Sequence, residues 1–155
     1  MKKYEMTDET KTLDDGTVLH RIRAVRDFTL ANGAEVLAGD LGGWIEKEDN
    51  LSHGDSAWVY GSARVYGDAW VYDDARVHGD AEVKSARDYA VFKNGWSSGR
   101  WFTYTRYNKM WAVGCFYGTG DELIAKAYRD SELSGRCYEA IVRAQEAIDR
   151  AFNEA

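Results

Sequence analysis

The chain contains 155 residues with a formal net charge of −6, and 45% of its residues are hydrophobic while 30% are charged. This composition predicts a single soluble globular domain with at most a small appendage, and it excludes a wholly disordered chain. An acidic chain lacks the basic surface that a nucleic-acid polymer requires, so we expect no such partner. No apolar run approaches the roughly 20 residues of a membrane-spanning helix, so no membrane partner is expected either.

The cysteines and the first residues bear on the cellular compartment. Cys115 and Cys137 are too few for a disulfide framework, and no metal-binding motif surrounds them. The beginning of the sequence is polar and acidic, without the apolar stretch of an export signal. Both observations predict a cytoplasmic location, where thiols stay reduced.

Residues 1–44 are predicted to form an N-terminal hairpin cap. Thr17–Phe28 alternates as a long strand does, and the turn Asn32–Gly33 precedes a second strand at Ala34–Ala38. Gly39–Trp44 is glycine-rich and is predicted as a turn. Because an open sheet edge exposes unpaired backbone groups, we expect the hairpin to cover the beginning of the next segment.

A repeat with a period of six residues follows the hairpin. Alanine recurs at positions 57, 63, 69, 75 and 81, and valine recurs at 59, 65, 71, 77 and 83. Ile45 and Leu51 join the valine column if the corner at Ser52–Ser56 contains two extra residues. This period fits neither a single helix nor a flat strand pair. It predicts short strands alternating with Gly/Asp/Ser turns, with each valine pointing inward.

The repeat resembles that of the hexapeptide-repeat proteins. The resemblance covers Ile45–Val83 and implies a short left-handed parallel β-helix with three hexads per coil, placed here at residues 45–86. In layout the chain is most similar to small phage- or prophage-encoded hexapeptide proteins that are loosely labelled as transferases. Such a protein would reside in the host cytoplasm.

Three hexads per coil would stack residues that are 18 positions apart. Trp58 is then expected over Arg76, Arg64 over Glu82, Tyr60 over His78, and Tyr66 over Lys84. Outward-facing aromatic residues on so short a helix predict an interface between subunits. Because hexapeptide proteins commonly trimerise through such faces, we expect a homotrimer that uses Trp58, Trp70, Tyr60, Tyr66 and Tyr72.

Residues 87–155 are predicted to form a β-meander followed by two helices. The three expected strands are Tyr89–Phe92, Arg100–Thr105 and Met110–Phe116. A capping box at Thr119–Glu122 opens the first helix, and Ser134–Gly135 is expected to separate it from the second. The predicted class is therefore α+β and mainly β: a hairpin cap, a short left-handed β-helix, a meander and two helices.

Positive charge is concentrated in residues 84–118. This stretch contains six Lys and Arg residues and one acid, Asp88, so its net charge is +5 and the rest of the chain sums to −11. Arginines beside aromatic rings suit a planar anionic ligand, which needs stacking for a ring and charged hydrogen bonds for phosphate. The predicted ligand is an anionic, nucleotide-like small molecule, and its candidate contacts are Arg100, Arg106, Trp96 and Trp101, with Arg21 and Arg23 as secondary candidates.

Catalysis finds little support in the sequence. His53, on the enlarged corner, is the one plausible general base if the chain is an acyl-CoA-dependent acyltransferase of the hexapeptide family. Three scattered histidines do not favour the zinc site of the carbonic-anhydrase branch. We therefore expect no metal, no cofactor and no catalytic residue.

The predicted function is that of a non-catalytic, oligomeric, small-molecule-binding protein. In a phage setting it would be a sponge that sequesters a nucleotide signal of host defence. Two alternatives stay open at this point: a structural module for trimerisation or protein docking, and an acyltransferase.

Overall fold

The computed structural model describes residues 2–154 and has an α+β architecture that is mostly β. None of the helices in this range is long and apolar enough to span a membrane. The strands are β1 (Tyr4–Thr12), β2 (Val18–Ala24), β3 (Phe28–Thr29), β4 (Glu35–Val36), β5 (Leu41–Ile45), β6 (Trp58–Val59), β7 (Arg64–Val65), β8 (Arg76–Val77), β9 (Glu82–Val83), β10 (Tyr89–Lys93), β11 (Trp101–Thr105), β12 (Met110–Val113) and β13 (Phe116–Thr119). The helices are α1 (Gly120–Asp130) and α2 (Glu132–Glu154).

The N-terminal region is built around β2, which pairs antiparallel with both β1 and β5. Ile22 and Ala24 are buried at alternate positions, as the pattern of this segment predicts. Leu19 is buried out of that phase, beyond an irregularity in the pairing with β1. The predicted long strand ends at Ala24, and the turn after it leads through the small β3–β4 pair. Strand β1 was not predicted, because its sequence is polar and its one buried aromatic residue is Tyr4.

The predicted glycine-rich turn at Gly39–Trp44 is wrong for most of its length, since β5 begins at Leu41. The glycines of this strand serve close packing. A Cβ atom on Gly43 would lie 2.7 Å from the carbonyl oxygen of Ala63, and one on Gly42 would lie 2.7 Å from the carbonyl oxygen of Val59. A side chain at either position would therefore push β5 away from the repeat.

In the repeat, all five valines of the column are fully buried, as predicted. Strand pairing is parallel and 18 residues apart, with Val59 beside Val77 and Val65 beside Val83. Ile45 pairs with Val65 at a separation of 20, which agrees with the two extra residues expected in the corner. The larger sheets elsewhere are antiparallel, so parallel pairing is a local property of this segment and of its contact with β5.

The C-terminal region is an antiparallel meander of four strands, β10 to β13, followed by the two helices. The predicted third strand, Met110–Phe116, is divided by a turn at Gly114, and β13, which begins at Phe116, was not predicted as a separate strand. The Thr119 side chain caps α1 by accepting the Glu122 N–H at 3.3 Å, as predicted. The helices separate at Ser131 instead of at Ser134–Gly135.

Gly135 lies inside α2 because the two helices approach each other there. A Cβ atom at this position would lie 2.2 Å from the Tyr128 ring, so any larger residue would force the ring away. The glycine that was predicted to break the helix instead permits helix packing. Between the regions, the Arg76 N–H donates to the Thr103 hydroxyl at 3.0 Å, which joins the repeat to the meander.

Candidate functional site

A cavity that contains two of the six predicted ligand contacts, Arg100 and Trp101, lies in the C-terminal region. It has a volume of about 270 Å³, and it is bounded by the β10–β11 turn, the β12–β13 turn and helix α1. We call it the Arg100 cleft; it is lined by Arg100, Trp101, Ser97, Cys115, Lys126 and Asp130, among others. Asp130 is the sole acid in this lining, and Lys126 pairs with it at 3.0 Å.

Two arginines are connected to one side of this cleft through Asn32 and Gly114. Arg100 is exposed and donates to the backbone oxygen of Asn32 at 3.2 Å. Arg76 is only 2% exposed and donates to the carbonyl oxygen of Gly114, also at 3.2 Å. The side-chain amide of Asn32 donates to the same Gly114 oxygen. Asn32, which accepts from Arg100, is thereby linked to Arg76 through one carbonyl group. Gly114 itself lines the cleft.

Neither of these guanidinium groups has a carboxylate partner within 4 Å among residues 2–154. Two nitrogens of the Arg76 side chain, Nε and one terminal nitrogen, are buried without a hydrogen-bond acceptor in the same range. A buried cation without a counter-ion is costly, and it raises the positive potential around it. Arg100 and Lys126 stand against Asp130 in the described lining, so the cleft carries a net positive charge, to which Arg76 adds through its bond to Gly114.

The two predicted stacking tryptophans differ in their environment. Trp101 is 40% exposed and lines the cleft. Trp96 is half-buried, donates its indole N–H to the Ser134 hydroxyl at 3.1 Å, and contacts the Tyr138 ring edge-on at 4.8 Å. Gly99 has open space beside it, as the prediction of room for a flat ring requires. Trp101 is therefore accessible from the cleft, whereas Trp96 is held against Ser134 and Tyr138.

Arg106 lies apart from the Arg100 cleft. It contacts Asp149 at 3.6 Å and Asp88 at 3.8 Å, and it donates to the Asn153 side chain at 2.6 Å. The same Asp149 accepts the Tyr104 hydroxyl at 2.5 Å. Arg106 therefore joins α2 to the meander, and its charge is already compensated.

The secondary candidates Arg21 and Arg23 also have partners on their own sheet. Arg21 donates to the Gly42 carbonyl at 3.2 Å and lies 3.8 Å from Glu9, while Arg23 forms an ion pair with Glu5. Neither lines the cleft in a single chain. Their predicted role, contact with a ligand bound to a neighbouring subunit, stays a prediction.

The predicted exposure of Trp58 is wrong. Its side chain is 2% exposed, and its ring contacts those of Phe28 at 5.1 Å and Tyr4 at 6.4 Å. The reason is that the N-terminal strands cover this side of the repeat. Trp58 pairs with Arg76 as expected, but the pair is interior and is not available to a symmetry mate.

The other predicted interface residues form internal contacts to different degrees. Tyr60 is half-buried and stacks on His78 at 4.5 Å, as the 18-residue spacing predicts. Tyr66 is half-buried and donates to Glu82. Trp70 and Tyr72 are exposed and stack on each other at 4.1 Å. Of the five, these last two are the side chains free to meet another molecule.

The candidate base His53 has no lone pair available for proton transfer. Its Nδ1 accepts the Lys3 N–H at 3.0 Å, so in the neutral ring the proton is on Nε2, which lies 3.4 Å from the Glu48 carboxylate. Burial lowers the pKa of His53, and Glu48 partly opposes this effect. The ring stacks on Tyr4 at 4.1 Å. These contacts are those of a structural histidine.

The structure shows no metal site in the part of the chain that it describes: no group of three or more His, Cys, Asp or Glu side chains is placed to hold an ion. No known protein family and no solved structure matches the chain. One curated protein that does match is an uncharacterized acetyltransferase, YdcK, of Escherichia coli, which is 34% identical over 67 residues. The match covers 39% of this chain and 19% of that protein. Its name agrees with the transferase label of the resemblance, while the hexapeptide family and the phage source stay predictions.

Proposed function

We propose that this chain is a non-catalytic binding protein for a small, anionic, ring-containing molecule, and that the Arg100 cleft is its binding site. The supporting observation is that Arg100 lines the cleft together with the exposed indole of Trp101 and has no carboxylate partner among residues 2–154. Arg76, bonded to the cleft residue Gly114, has none in that range either. An anionic ligand would supply the missing counter-charge.

The two arginines would act differently. Arg100 is exposed, so its guanidinium can form paired hydrogen bonds with a phosphate or carboxylate. Arg76 is buried and fixed on Gly114, so it would contribute positive potential from a region of low dielectric constant without contacting the ligand. Trp101 offers the face on which a planar ring can stack.

The cleft of one chain lies at the lower end of the volumes found for ligand sites. Binding sites for drug-sized molecules measure about 300–1,000 Å³, and the cleft of one chain is slightly smaller, at about 270 Å³. We propose that a neighbouring subunit completes the site in a homotrimer. The fold proposed for the repeat, a left-handed β-helix with three hexads per coil, is supported by the parallel pairs at a separation of 18.

The proposed biological role is sequestration, in a phage setting, of a nucleotide signal of host defence. It rests on the resemblance to phage-encoded hexapeptide proteins and on the basic, aromatic character of residues 84–118. The acyltransferase alternative is favoured by the name of the matching protein. Incubation with acyl-CoA donors tests it: we expect no turnover, and turnover that is lost in His53→Ala would establish the enzyme instead.

Calorimetry with mono-, di- and cyclic nucleotides tests the proposed site. We expect at least one of them to bind, and Arg100→Ala to weaken its binding about tenfold or more, since a charged hydrogen bond is lost. Arg150→Ala removes the same charge from an exposed position outside the cleft and is the matched control. Its binding should stay within about twofold of the parent, because long-range charge effects are screened by salt.

Two results would overturn the proposal. No heat with any member of the panel would leave the docking module as the better account. An equal loss in Arg100→Ala and Arg150→Ala would mean that net charge, and not the cleft, attracts the anion. Sedimentation tests the assembly separately, where a stable monomer of 17.5 kDa at micromolar concentration would contradict the trimer.

A further inference from the structure

A second cavity, of about 700 Å³, lies between the repeat and strand β10. We call it the Trp70 groove; the aromatic side chains of Trp70, Tyr72, Tyr89 and Trp101 line it. Trp70 is 54% exposed, Tyr72 is 39% exposed and Trp101 is 40% exposed. Trp101 also borders the Arg100 cleft. Exposed rings gathered in one cavity are typical of a surface that binds another molecule.

The rings are held in place before any ligand binds. Trp70 and Tyr72 stack with centroids 4.1 Å apart and an angle of 24° between their planes. The Tyr89 hydroxyl donates to the backbone oxygen of Trp70 at 2.7 Å, which ties β10 to this corner of the repeat. A ligand would therefore meet preorganised aromatic faces, and less conformational entropy would be lost on binding.

The groove is strongly acidic. Four aspartates line it, namely Asp55, Asp68, Asp73 and Asp74, and its described lining contains no Lys, Arg or His. Asp55 is compensated, because Lys3 lies 3.6 Å from its carboxylate. The other three form no ion pair with any of residues 2–154. The groove thus has the opposite electrostatic preference to the Arg100 cleft.

Carboxylates next to aromatic faces select one class of ligand. Anions are repelled, and an uncharged apolar molecule would leave the carboxylates desolvated. A small hydrated metal ion makes little use of ring faces. An organic ammonium ion gains from the rings and from the carboxylates, because its methylene groups cover the rings while its charge interacts with the ring electrons and with the carboxylates. The volume lies within the usual range of about 300–1,000 Å³ for ligand sites.

We propose that the Trp70 groove binds a linear aliphatic polyamine. Its methylene chain lies along Trp70 and Tyr72, and its ammonium groups meet Asp68, Asp73 and Asp74. Because several charges are spread along the groove, a chain with two or more ammonium groups satisfies more carboxylates than a single ammonium ion does. The site is independent of the Arg100 cleft, and it can be present whether or not that cleft binds an anion.

A second copy of the chain is the competing occupant, since Trp70 and Tyr72 belong to the surface predicted for trimer contacts. Three uncompensated carboxylates argue against an apolar contact between copies, because burying them there is costly. The polyamine is therefore the better match to the charge of the groove.

Titration of the purified chain with spermidine, followed by calorimetry, tests the charge requirement. We expect one saturable site per chain, with affinity that falls as NaCl is added. Asp73→Asn keeps the shape of the side chain and should weaken binding about fivefold to tenfold through the loss of one charged contact. Asp8→Asn, which changes an exposed acid outside the groove, should leave the affinity within about twofold.

A second pair of variants tests the rings. Trp70→Ala should weaken spermidine binding about fivefold, the size expected from the loss of a cation–π face. Tyr107→Ala removes a ring that is 58% exposed and lies outside the groove, so its affinity should match that of the parent. Trp101 is not used here, because it borders both cavities and is 5.9 Å from the Lys93 ammonium.

Three outcomes would overturn the proposal. One is the absence of saturable spermidine binding. Another is displacement of spermidine by magnesium or calcium chloride at equal charge concentration, which would indicate a diffuse ionic attraction. The third combines two results: the parent chain forms an oligomer but binds no spermidine, and Trp70→Ala converts that oligomer to a monomer. This outcome would assign the groove to a second copy.

Discussion

The repeat and the C-terminal region build their cores from opposite kinds of side chain. Between Ala57 and Val83 the core positions of the repeat are, apart from Trp58, alanine and valine stacked at a constant spacing. The second core is made mostly of rings, including Phe102, Trp111 and Tyr138. A stack of identical small residues distributes its stability over many equivalent contacts. An aromatic cluster depends on a few large side chains, and the shape of each one determines how its neighbours pack.

This difference also separates scaffold from chemistry. The repeat offers a regular surface. The Trp70 groove lies where this surface meets β10, and the Arg100 cleft lies among the turns of the C-terminal region itself. Loops and turns on a rigid support are where binding residues are usually found.

The sharpest test of the comparison is a pair of truncations. Phe102→Ala should lower the free energy of unfolding by about 4 kcal/mol, because a buried ring in contact with Phe92, Trp111 and Tyr138 leaves a cavity. Val77→Ala should cost about 2 kcal/mol, since less apolar surface is lost. Urea denaturation measures both. Equal costs would show that the aromatic cluster is not the more vulnerable core.

The contact between the two regions should respond to acid through His78. Its ring lies between Tyr60 and Tyr117, and burial, together with the nearby Arg76 charge, lowers its pKa to about 4. The unfolded chain takes up this proton near pH 6.5 while the folded chain does not, so stability falls as the pH drops from 6.5 to 4. His78→Phe keeps the ring and should remove about 2 kcal/mol of that loss. Urea denaturation of the parent and of His78→Phe at pH 7 and pH 4 measures this difference. The same pH dependence of stability in both proteins would contradict the prediction.

The first helix of the C-terminal region should depend on its capping residue. Thr119→Ala removes the acceptor for the Glu122 N–H and should lower stability by about 1 kcal/mol. Thr29→Ala, at an exposed strand position, is the control. Thermal unfolding compares the two variants. If Thr119→Ala lowers stability no more than Thr29→Ala does, the stability of α1 comes from its packing alone.

The smallest effect is expected from the charged ladder on the repeat. Arg64 and Glu82, 18 residues apart, approach to 2.8 Å and are mostly shielded from solvent. A double-mutant cycle with Arg64→Ala and Glu82→Ala should give a coupling free energy of about 0.5 kcal/mol that declines in salt. A coupling above about 2 kcal/mol would mean that the repeat relies on specific ion pairs as well as on its small core.

The sequence predicted local features of the molecule better than contacts between residues that are far apart in the chain. The valine column, the two extra residues in the corner and the Thr119 cap follow from local patterns, and the structure agrees with each. Strand β1 and the burial of Trp58 were missed, because both depend on pairing between residues far apart in the chain.

Period and composition by themselves determined that the valine column of the repeat faces inward, since a spacing of six leaves one register that buries every valine. The same local information identified residues 84–118 as basic and aromatic. Only the tertiary structure decided that Arg106 is neutralised while Arg76 and Arg100 have no carboxylate partner among the described residues. The physical reason is that an ion pair depends on distances of a few ångströms between residues that are distant in sequence, and no local pattern specifies those distances.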